Sequence, residues 1–502
     1  MWILDELKKR SGSDRIAVIH RDRKITFEEL WIASENLASK LNNELSTDQP
    51  IIVYGNKDIE IIIVMIAALK TGRAYVPIDV TFPPDRVRKI AEITEAELIF
   101  NFSSLEASFI GENQPYRIAG GFDFADYLYE PQNTLSEGSW VQSEDDCYIL
   151  FTSGSTGEPK GVRISKGNIL NFTNCFMRCL EVPEGSVALN QVSYSFDVSD
   201  VQLYLHLANG VTLFNIDRAM IDNFGEMFDL LRQSGVSSWV STPAFMEMCT
   251  VYDEFNSDML PLGKILLAGE VLTKKLVRTL WQKFPSASII NGYGPSEITV
   301  LTSACEITEE MMSDEDSLPI GRVLDDASYR IEKNGHEVSK ECVHGELIVV
   351  SDSVSKGYYK DDERTRESFF MQDGRRGFRT KDLVYRKGDL LYFVGRKDFQ
   401  VKLNGYRIEL EDVSSNLNKI DIVENSIVIP VYEDGKAVYL AAFLTLARND
   451  FDSPSSAGIV IRKRLKALVP SYMVPRKIII LDRFPVNQNG KIDRKELASK
   501  YL

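Results

Sequence analysis

Residues 148–161 read YILFTSGSTGEPKG, an apolar run that ends in a loop of glycines, hydroxyl side chains and one lysine. Such a run is typical of a buried strand, and ligands of parallel sheets bind where strands end. Small side chains let backbone N–H groups approach an anion, and Lys160 adds positive charge. The loop is not a Walker loop, because Pro159 precedes the lysine and Gly161 replaces the Ser or Thr that should follow it. The stretch therefore predicts a phosphate site of another kind, with a plain surface turn as the alternative.

The segments before this loop alternate between helix and strand patterns. ITFEELWIASENLASKL at 25–41 repeats apolar residues at helical spacing, and Thr26 with Glu29 fits a capping box at its start. A short apolar run at 50–55, PIIVYG, indicates a buried strand, and a second helix is predicted from 59 to 70. This alternation is the pattern of a parallel sheet covered by helices.

The later part of the chain repeats this pattern and then changes. SSWVSTP at 237–243 and KILLAGE at 264–270 are further strands that run into loops, so they are candidate walls of the same pocket. Toward the C-terminus the chain becomes dense in charge and strand signals, as in GRKDFQVKLNGYRIELEDV at 395–413. We therefore predict an α/β protein with a large N-terminal domain of parallel-rich, helix-covered sheets at 1–397 and a small C-terminal α+β domain at 398–502.

Composition limits the classes of function. The chain has 502 residues, enough for two or three cores, and its net charge of −15 argues against a nucleic acid as the main partner. The longest apolar run, IIIVMIAAL at 61–69, is too short to span a bilayer, so we expect a cytoplasmic protein without membrane insertion. The six cysteines lack CxxC pairs and histidine partners, which predicts buried, reduced thiols, with the pair Cys175 and Cys179 as an alternative metal or redox site. The others are Cys147, Cys249, Cys305 and Cys342.

Three further motifs accompany the glycine loop. NGYGPSE at 291–297 combines an aromatic residue, a tight turn and a carboxylate, FRTKD at 378–382 offers a second carboxylate, and NQNGKIDRKEL at 487–497 presents a lysine from a turn. With LKTGRAYVPID at 69–79, these motifs make nearly the whole chain resemble the adenylate-forming superfamily of acyl-CoA synthetases, firefly luciferase and the adenylation domains of nonribosomal peptide synthetases. Within it, the stretches IIVYGNKDIE, STPAFMEM, AGEVL and FQVKLNGYRIELE are most similar to the D-alanine:D-alanyl carrier protein ligases.

The resemblance implies that ATP and Mg²⁺ take part in the reaction. A substrate carboxylate attacks the α-phosphorus and pyrophosphate leaves, so the enzyme must neutralise phosphate charge while it aligns two anions. Thr152 and Glu297 are implied to act in catalysis, Glu297 as the carrier of Mg²⁺. Tyr293 would stack on adenine, Asp382 would accept the ribose hydroxyls, and Arg396 would assist beside them. The residues implied to bind ATP are Thr152, Ser153, Gly154, Thr156, Lys160, Gly269, Glu270, Asn291, Tyr293, Gly294, Ser296, Asp382, Arg396 and Lys491.

The C-terminal motif carries the remaining catalytic residue. By the resemblance, Lys491 bridges the substrate carboxylate and the α-phosphate as a point charge. The small domain is implied to be mobile and to rotate about the hinge Asp398, so that Lys491 leaves and the loop at 404–406 faces the channel of a phosphopantetheine thiol. That thiol attacks the acyl adenylate. One position departs from the family pattern, because Lys381 stands where relatives usually have Gly before Asp382. We expect altered backbone geometry or ribose contacts there, with activity retained.

The substrate is inferred from positions that match the specificity residues of peptide synthetases. Asp197 matches an Asp that pairs with the α-ammonium group of an amino acid, and ligases for fatty or aryl acids generally lack it. The other positions carry no charge, so a neutral side chain is implied. Ala268 and Gly292 stand where D-alanine ligases usually have Cys and Thr, which predicts an enlarged pocket and leaves both D-alanine and a bulkier apolar or aromatic amino acid open. The side-chain positions are Val198, Val201, Ser241, Leu266, Ala268, Gly292, Val300 and Leu301.

The expected partner is a separate carrier protein, because no phosphopantetheine attachment motif occurs before the last residue, Leu502. Two other functions are weighed. An acyl- or aryl-CoA ligase would use the same ATP machinery, and Asp197 argues against it. A catalytically inactive scaffold of the same fold finds support only in Lys381, whereas the intact lysines and carboxylates of the other motifs oppose it.

Overall fold

The computed structural model divides the chain into two compact units. The described residues are 1–103, 116–131, 133–152, 158–313, 317–323, 325–398, 400–433, 435–447, 451, 453–481, 483–485, 492 and 494–502. The large unit consists of Met1–Val80, Ala91–Phe151 and Gly161–Lys397. The small unit consists of Thr81–Ile90, Thr152–Lys160 and Asp398–Leu502.

The helices follow the apolar periodicity of the sequence. The predicted capping box is confirmed at the start of the second helix, where Thr26 Oγ1 accepts from Glu29 N at 3.1 Å and Glu29 Oε2 accepts from Thr26 N at 2.8 Å. The predicted helix from 59 to 70 is also confirmed. The α-helices are α1 (Ile3–Lys9), α2 (Phe27–Glu44), α3 (Ile59–Lys70), α4 (Pro84–Thr94), α5 (Lys166–Leu180), α6 (Arg218–Asp222), α7 (Phe224–Ser234), α8 (Pro243–Thr250), α9 (Lys274–Lys283), α10 (Glu309–Ser313), α11 (Asp362–Ser368), α12 (Leu410–Asn418), α13 (Pro454–Leu465) and α14 (Arg494–Tyr501).

The strands of the first half of the chain are short and mostly buried. They are β1 (Ile16–His20), β2 (Arg23–Thr26), β3 (Ile51–Gly55), β4 (Tyr75–Asp79), β5 (Leu98–Asn101), β6 (Arg117–Gly120), β7 (Asp146–Thr152), β8 (Lys160–Ser165), β9 (Val187–Asn190), β10 (Thr212–Asn215) and β11 (Val236–Ser241). The later strands are β12 (Lys264–Ala268), β13 (Ser288–Tyr293), β14 (Ser303–Glu306), β15 (Arg322–Val323), β16 (Ser328–Lys333), β17 (His336–Glu337), β18 (Gly345–Val350), β19 (Phe369–Gln372), β20 (Arg375–Lys387), β21 (Leu390–Arg396), β22 (Gln400–Leu403), β23 (Tyr406–Glu409), β24 (Val423–Glu433), β25 (Lys436–Leu446) and β26 (Lys477–Ile480).

A nine-stranded sheet of the large unit places β11, β12 and β13 side by side. Its order is β15-β14-β13-β12-β11-β9-β10-β1-β2, and the inner strands from β1 to β13 pair in parallel while both edges are antiparallel. The carboxyl ends of β11, β12 and β13 therefore meet at one edge. A π-helix, Val201–His206, follows the Asp197 motif. This helix was not predicted from the sequence.

A second sheet has the order β6-β5-β3-β4-β7-β8, with parallel pairs from β6 through β7. Strand β7 ends at Thr152, where the glycine loop begins. These two sheets confirm the predicted α/β fold with parallel-rich sheets. A third sheet, built from β16 to β21, pairs in antiparallel fashion throughout and was not foreseen.

The small unit combines a hairpin with a three-stranded sheet and helices. Strands β22 and β23 are joined by Asn404 and Gly405, both with positive φ (50° and 84°), which is the conformation that a tight two-residue hairpin turn requires. Strands β24, β25 and β26 form the sheet, and α12 and α13 pack on it. Helix α4 begins within this unit, since Thr81–Ile90 belongs to it.

The cysteine prediction is confirmed only in part. All six cysteines are free thiols, but only Cys147 and Cys249 are buried, and Cys342 is exposed. The prediction of buried thiols is therefore wrong for Cys342. Across the described ranges, no helix combines the length and the apolar character that crossing a membrane requires.

Candidate active site

Asp382 forms the centre of a buried polar group at the end of β13. Its Oδ2 accepts a hydrogen bond from the Tyr293 hydroxyl at 2.5 Å, and its Oδ1 accepts one from the Arg396 guanidinium at 2.5 Å. Arg396 lies opposite Asp382 in the β20–β21 register, so the antiparallel pairing itself brings the two side chains together. Burial, followed by the negative charge of Asp382, raises the pKa of Tyr293 well above its usual range. Tyr293 is therefore a fixed hydrogen-bond donor.

Lys381 keeps the backbone conformation for which a glycine is suited. Its φ is +60°, in the left-handed region that costs an ordinary residue about 1–2 kcal/mol. Two hydrogen bonds fix the peptide there, from Lys381 N to Glu346 Oε1 at 3.2 Å and from Lys397 N to Lys381 O at 2.8 Å. The side chain is exposed. The lysine thus adopts the left-handed conformation, and the Asp382 carboxylate beside it is held by Tyr293 and Arg396. The expectation of altered backbone geometry or ribose contacts stays a prediction.

Glu297 is fully buried just beyond the same strand. Its Oε1 accepts a hydrogen bond from the Tyr358 hydroxyl at 2.8 Å, and its backbone carbonyl accepts one from Ser355 N at 2.9 Å. The sequence analysis did not select Tyr358, since GYY at 357–359 matches no motif that we weighed. We refer to Tyr293, Glu297, Tyr358, Asp382 and Arg396 together as the nucleotide group.

The two residues that follow the 3-10 turn at Ser296–Ile298 are strained. Thr299 and Val300 have φ values of 48° and 69°, and positive φ is a marked outlier for a β-branched side chain. A hydrogen bond from Leu301 N to Thr299 O at 2.9 Å closes a three-residue turn centred on Val300, and Thr299 Oγ1 donates to Ser353 O at 2.7 Å. Such strain persists only where surrounding contacts impose it, and it is concentrated at functional sites. This turn carries the chain from Glu297 to Leu301.

Six of the predicted substrate positions lie in one buried apolar cluster. We call this set the side-chain cluster: Val198, Val201, Leu266, Ala268, Val300 and Leu301. Phe172 and Phe176 of α5 pack in the same core. Ser241 is buried as well, but its hydroxyl is already used, because it accepts from Trp239 Nε1 at 2.9 Å and donates to the Thr242 carbonyl at 3.0 Å.

Gly292 does not open a void in this cluster. It pairs in register with Ala268, so the two smallest residues of β12 and β13 are neighbours. A Cβ atom at Gly292 would lie 2.9 Å from Leu301 Cδ2, 3.1 Å from Leu266 Cδ1 and 3.3 Å from Ala268 Cβ. Leucine methyl groups therefore already occupy the space beside Gly292. The expectation that this position enlarges the pocket is not supported by the packing.

Asp197 is buried next to a second carboxyl group. Its side chain is 4% exposed, and Asp200 N donates to the Asp197 carbonyl at 2.9 Å. Burial raises the pKa of Asp200 well above its usual range, and the charge of Asp197 raises it further. Of these two acids, Asp197 carries the family motif, whereas Asp200 had no signal in the sequence analysis.

The other predicted nucleotide residues of the large unit have structural partners. Gly269 has φ +92°, and a Cβ there would lie 2.8 Å from Phe196 Cζ. Glu270 Oε2 accepts from Ala244 N at the start of α8 at 3.1 Å, and Asn291 Nδ2 donates to Pro319 O at 2.7 Å. A Cβ at Gly294 would lie 2.4 Å from Val300 O, so only glycine fits beside the strained turn. The last of these residues, Ser296, begins the 3-10 turn.

The phosphate-loop residues that the structure describes belong to the small unit. The Thr152 hydroxyl oxygen is buried and has no hydrogen-bond partner in the described part of the chain. The Lys160 ammonium lies 3.5 Å from Glu409 Oε1, and both side chains are about nine-tenths buried. Asp398 Oδ1 accepts from Gln400 N, the first residue of β22, at 3.4 Å. Four predicted residues lie outside the described residues, namely Ser153, Gly154, Thr156 and Lys491.

Each unit holds a donor that suits part of a magnesium nucleotide, Thr152 in the small unit and Glu297 in the large unit. A buried hydroxyl without a partner, as at Thr152, suits a phosphate oxygen. Among the described residues, no cluster of three His, Cys, Asp or Glu side chains could hold a metal ion. Mg²⁺ is commonly bound by one or two carboxylates together with substrate phosphates and water, and the Glu297 carboxylate is a ligand of that kind.

A family model described as "AMP-binding enzyme" matches residues 4–359, and one described as "AMP-binding enzyme C-terminal domain" matches residues 412–491. The chain belongs to the AMP-binding enzyme family. The prediction that it is a member of the adenylate-forming superfamily is confirmed. Proteins named D-alanine--D-alanyl carrier protein ligase from Bacillus licheniformis and Bacillus anthracis are each 37% identical to it over 504 and 505 residues, covering 100% of this chain and 99% of theirs.

A solved structure shares the fold of this AMP-binding enzyme. The Vibrio cholerae adenylation domain AlmE, in complex with glycyl-adenosine-5'-phosphate, has a TM-score of 0.82 at 19% identity and covers 99% of this chain and 97% of its own. The likeness confirms the predicted fold class, including the smaller C-terminal part.

Proposed function

We propose that the protein uses ATP to activate a neutral amino acid as an aminoacyl adenylate and transfers it to the phosphopantetheine thiol of a separate carrier protein. The observation that carries this proposal is the buried Asp382 held by Tyr293 and Arg396, in a chain 37% identical over its full length to a named carrier-protein ligase. A buried carboxylate held in a fixed orientation is suited to accept two vicinal ribose hydroxyls.

The nucleotide group would bind and orient ATP. Asp382 would accept the ribose hydroxyls, and Tyr293 would present its ring to adenine while its hydroxyl fixes Asp382. Glu297, oriented by Tyr358, would hold Mg²⁺, which when bound neutralises phosphate charge. Thr152 and Lys160 would hold phosphate oxygens. The Lys160 ammonium has three N–H donors and lies 3.5 Å from Glu409 Oε1, so a phosphate oxygen would share it with Glu409 or replace that carboxylate.

The first reaction joins two anions, so its catalysis consists of charge neutralisation and alignment. The substrate carboxylate attacks the α-phosphorus, and the bond to the departing pyrophosphate breaks. Lys491 is proposed to lie between carboxylate and α-phosphate, and Asp197 to pair with the α-ammonium group of the substrate. In the second reaction a thiolate attacks the acyl carbon and AMP leaves. Asp398 is proposed as the hinge between the two reactions.

The proposal is tested by amino-acid-dependent exchange of labelled pyrophosphate into ATP. We expect exchange with a neutral amino acid and Mg²⁺, and none with fatty or aryl acids. Lys491→Ala should abolish the exchange, whereas Lys500→Ala, an exposed lysine on the terminal helix, should leave it unchanged. Exchange with an aryl or fatty acid alone would identify a CoA ligase. No exchange with any acid, from folded protein that binds ATP, would identify an inactive scaffold.

A further inference from the structure

Leucine side chains fill part of the substrate side-chain pocket. The residue types at Ala268 and Gly292 do not by themselves reveal this filling. Ala268 and Gly292 are paired neighbours on β12 and β13, and both are small. Read one position at a time, they indicate a wide pocket. In the structure, the methyl group Cδ2 of Leu301 lies 2.9 Å from the place of a Gly292 Cβ, and Cδ1 of Leu266 lies 3.1 Å from it. Leu301 is fully buried.

The strained turn explains why Leu301 reaches this place. Thr299 and Val300 adopt positive φ, and the hydrogen bond from Thr302 N to Tyr293 O at 2.7 Å returns the chain to β13 directly after Leu301. Gly294 admits the backbone of this turn, since any side chain there would meet Val300 O at 2.4 Å. The backbone of the turn therefore fixes the place from which the Leu301 side chain extends, and its rotamer is a second contribution.

We infer that Leu301 sets the size limit of the substrate pocket, by occupying the volume that Gly292 leaves, so that the protein takes an amino acid with a small neutral side chain. This inference rests on the proposed function and narrows its substrate class. Leu301 and Gly292 form a volume-matched pair. A large side chain at one position requires a small one at the other, because a packed interior accepts extra atoms only at a cost.

The test is a pair of reciprocal substitutions. Leu301→Ala removes as many carbon atoms as Gly292→Val adds, and neither change introduces a polar group that would need a partner. Leu276→Ala is the control, because it truncates a buried leucine in a different core. Pyrophosphate exchange is measured for each variant with glycine, alanine, valine, leucine and phenylalanine, using both enantiomers where they exist.

We expect the unmodified protein to favour the small amino acids over leucine and phenylalanine by at least about tenfold in kcat/KM. Leu301→Ala should reduce that ratio at least about tenfold, whereas Leu276→Ala should leave it unchanged. Adding Gly292→Val to Leu301→Ala should restore the preference for small side chains. A preference of the unmodified protein for bulky side chains, or an unchanged ratio in folded Leu301→Ala, would overturn the inference.

The packing itself is measured separately by denaturant unfolding, so that failure of the proposed function can be distinguished. Gly292→Val alone should lower the unfolding midpoint, and Leu301→Ala in the same chain should recover part of that loss. If no variant catalyses exchange but this recovery is seen, the proposed function fails and the matched pair stands. If the two substitutions lower the midpoint independently, the pair is not matched and the inference fails.

Discussion

The nucleotide group and the side-chain cluster both draw residues from the chain segment between Tyr293 and Leu301, yet they are built by different forces. The nucleotide group is held by directional contacts, such as the two 2.5 Å hydrogen bonds to Asp382. The side-chain cluster is held by the packing of leucine, valine and alanine side chains around Gly292. Hydrogen-bonded groups need particular atoms at particular places, whereas a packed cluster can exchange volume between positions.

This difference determines what a sequence motif can reveal. Each member of the nucleotide group contributes its own chemistry. A motif match at Asp382 or at Glu297 therefore predicts a role for that residue without reference to the other members. Positions of the side-chain cluster have meaning only jointly, since the space beside Gly292 depends on Leu301. Substitutions in the first region should therefore slow the reaction with every substrate, and those in the second should change which substrate reacts.

The largest expected effect is that of Asp382→Asn. The amide keeps the size of the side chain but loses the charge that pairs with Arg396 and the second acceptor for a ribose hydroxyl. We expect kcat/KM for ATP to fall at least about 100-fold, equivalent to about 2.7 kcal/mol, with the order of amino-acid preference unchanged. The control is Asp389→Asn, an exposed carboxylate in the turn of the same β20–β21 hairpin. A loss no greater than that of the control would remove Asp382 from the nucleotide group.

A smaller effect is expected for Tyr358→Phe. The ring stays buried, but Glu297 loses the hydroxyl that donates to its Oε1. A hydrogen bond to a charged group is worth about 1.5–3 kcal/mol, so we expect kcat/KM to fall about tenfold or more. The Mg²⁺ concentration that gives the half-maximal rate should rise. Tyr359→Phe is the control, because its hydroxyl contacts Gln49. An unchanged Mg²⁺ requirement would show that Tyr358 does not orient a magnesium ligand.

Much of the fold could be predicted because it depends on local signals. The capping box of α2, the buried helix α3 and strand β7 with its loop each follow from periodicity and from a few end-marking residues. The antiparallel sheet of β16 to β21 was missed because its strands are mostly half-exposed and are separated by ordinary turns. The π-helix at Val201–His206 has no sequence signal of its own.

The site was predictable where one residue carries one role and unpredictable where residues act on each other. Asp382 and Tyr293 were each selected, but not the hydrogen bond that joins them, because it connects positions far apart in the chain. Tyr358 was missed for the same reason. The packing beside Gly292 was not foreseen, since the atoms nearest to it come from Leu301 after the strained turn. The width of the pocket stays a prediction.

The smallest predicted effect concerns Lys381 and tests whether the nucleotide group tolerates backbone strain at its edge. Lys381→Gly removes a side chain that is exposed and relieves the left-handed conformation at φ +60°, while both hydrogen bonds of the peptide remain possible. The glycine also loses more conformational entropy on folding, so the net gain should be about 1 kcal/mol in the free energy of unfolding, measured with urea. Lys387→Gly, at the last residue of β20 and without a positive φ, should instead lower stability by about 0.5–1 kcal/mol. Because the structure already places Asp382 in its hydrogen-bonded position with Lys381 present, kcat/KM for ATP should not change. A gain in activity without a gain in stability would mean that the Lys381 side chain weakens nucleotide binding. The charge of residue 381, and not its backbone conformation, would then determine how this part of the nucleotide group binds.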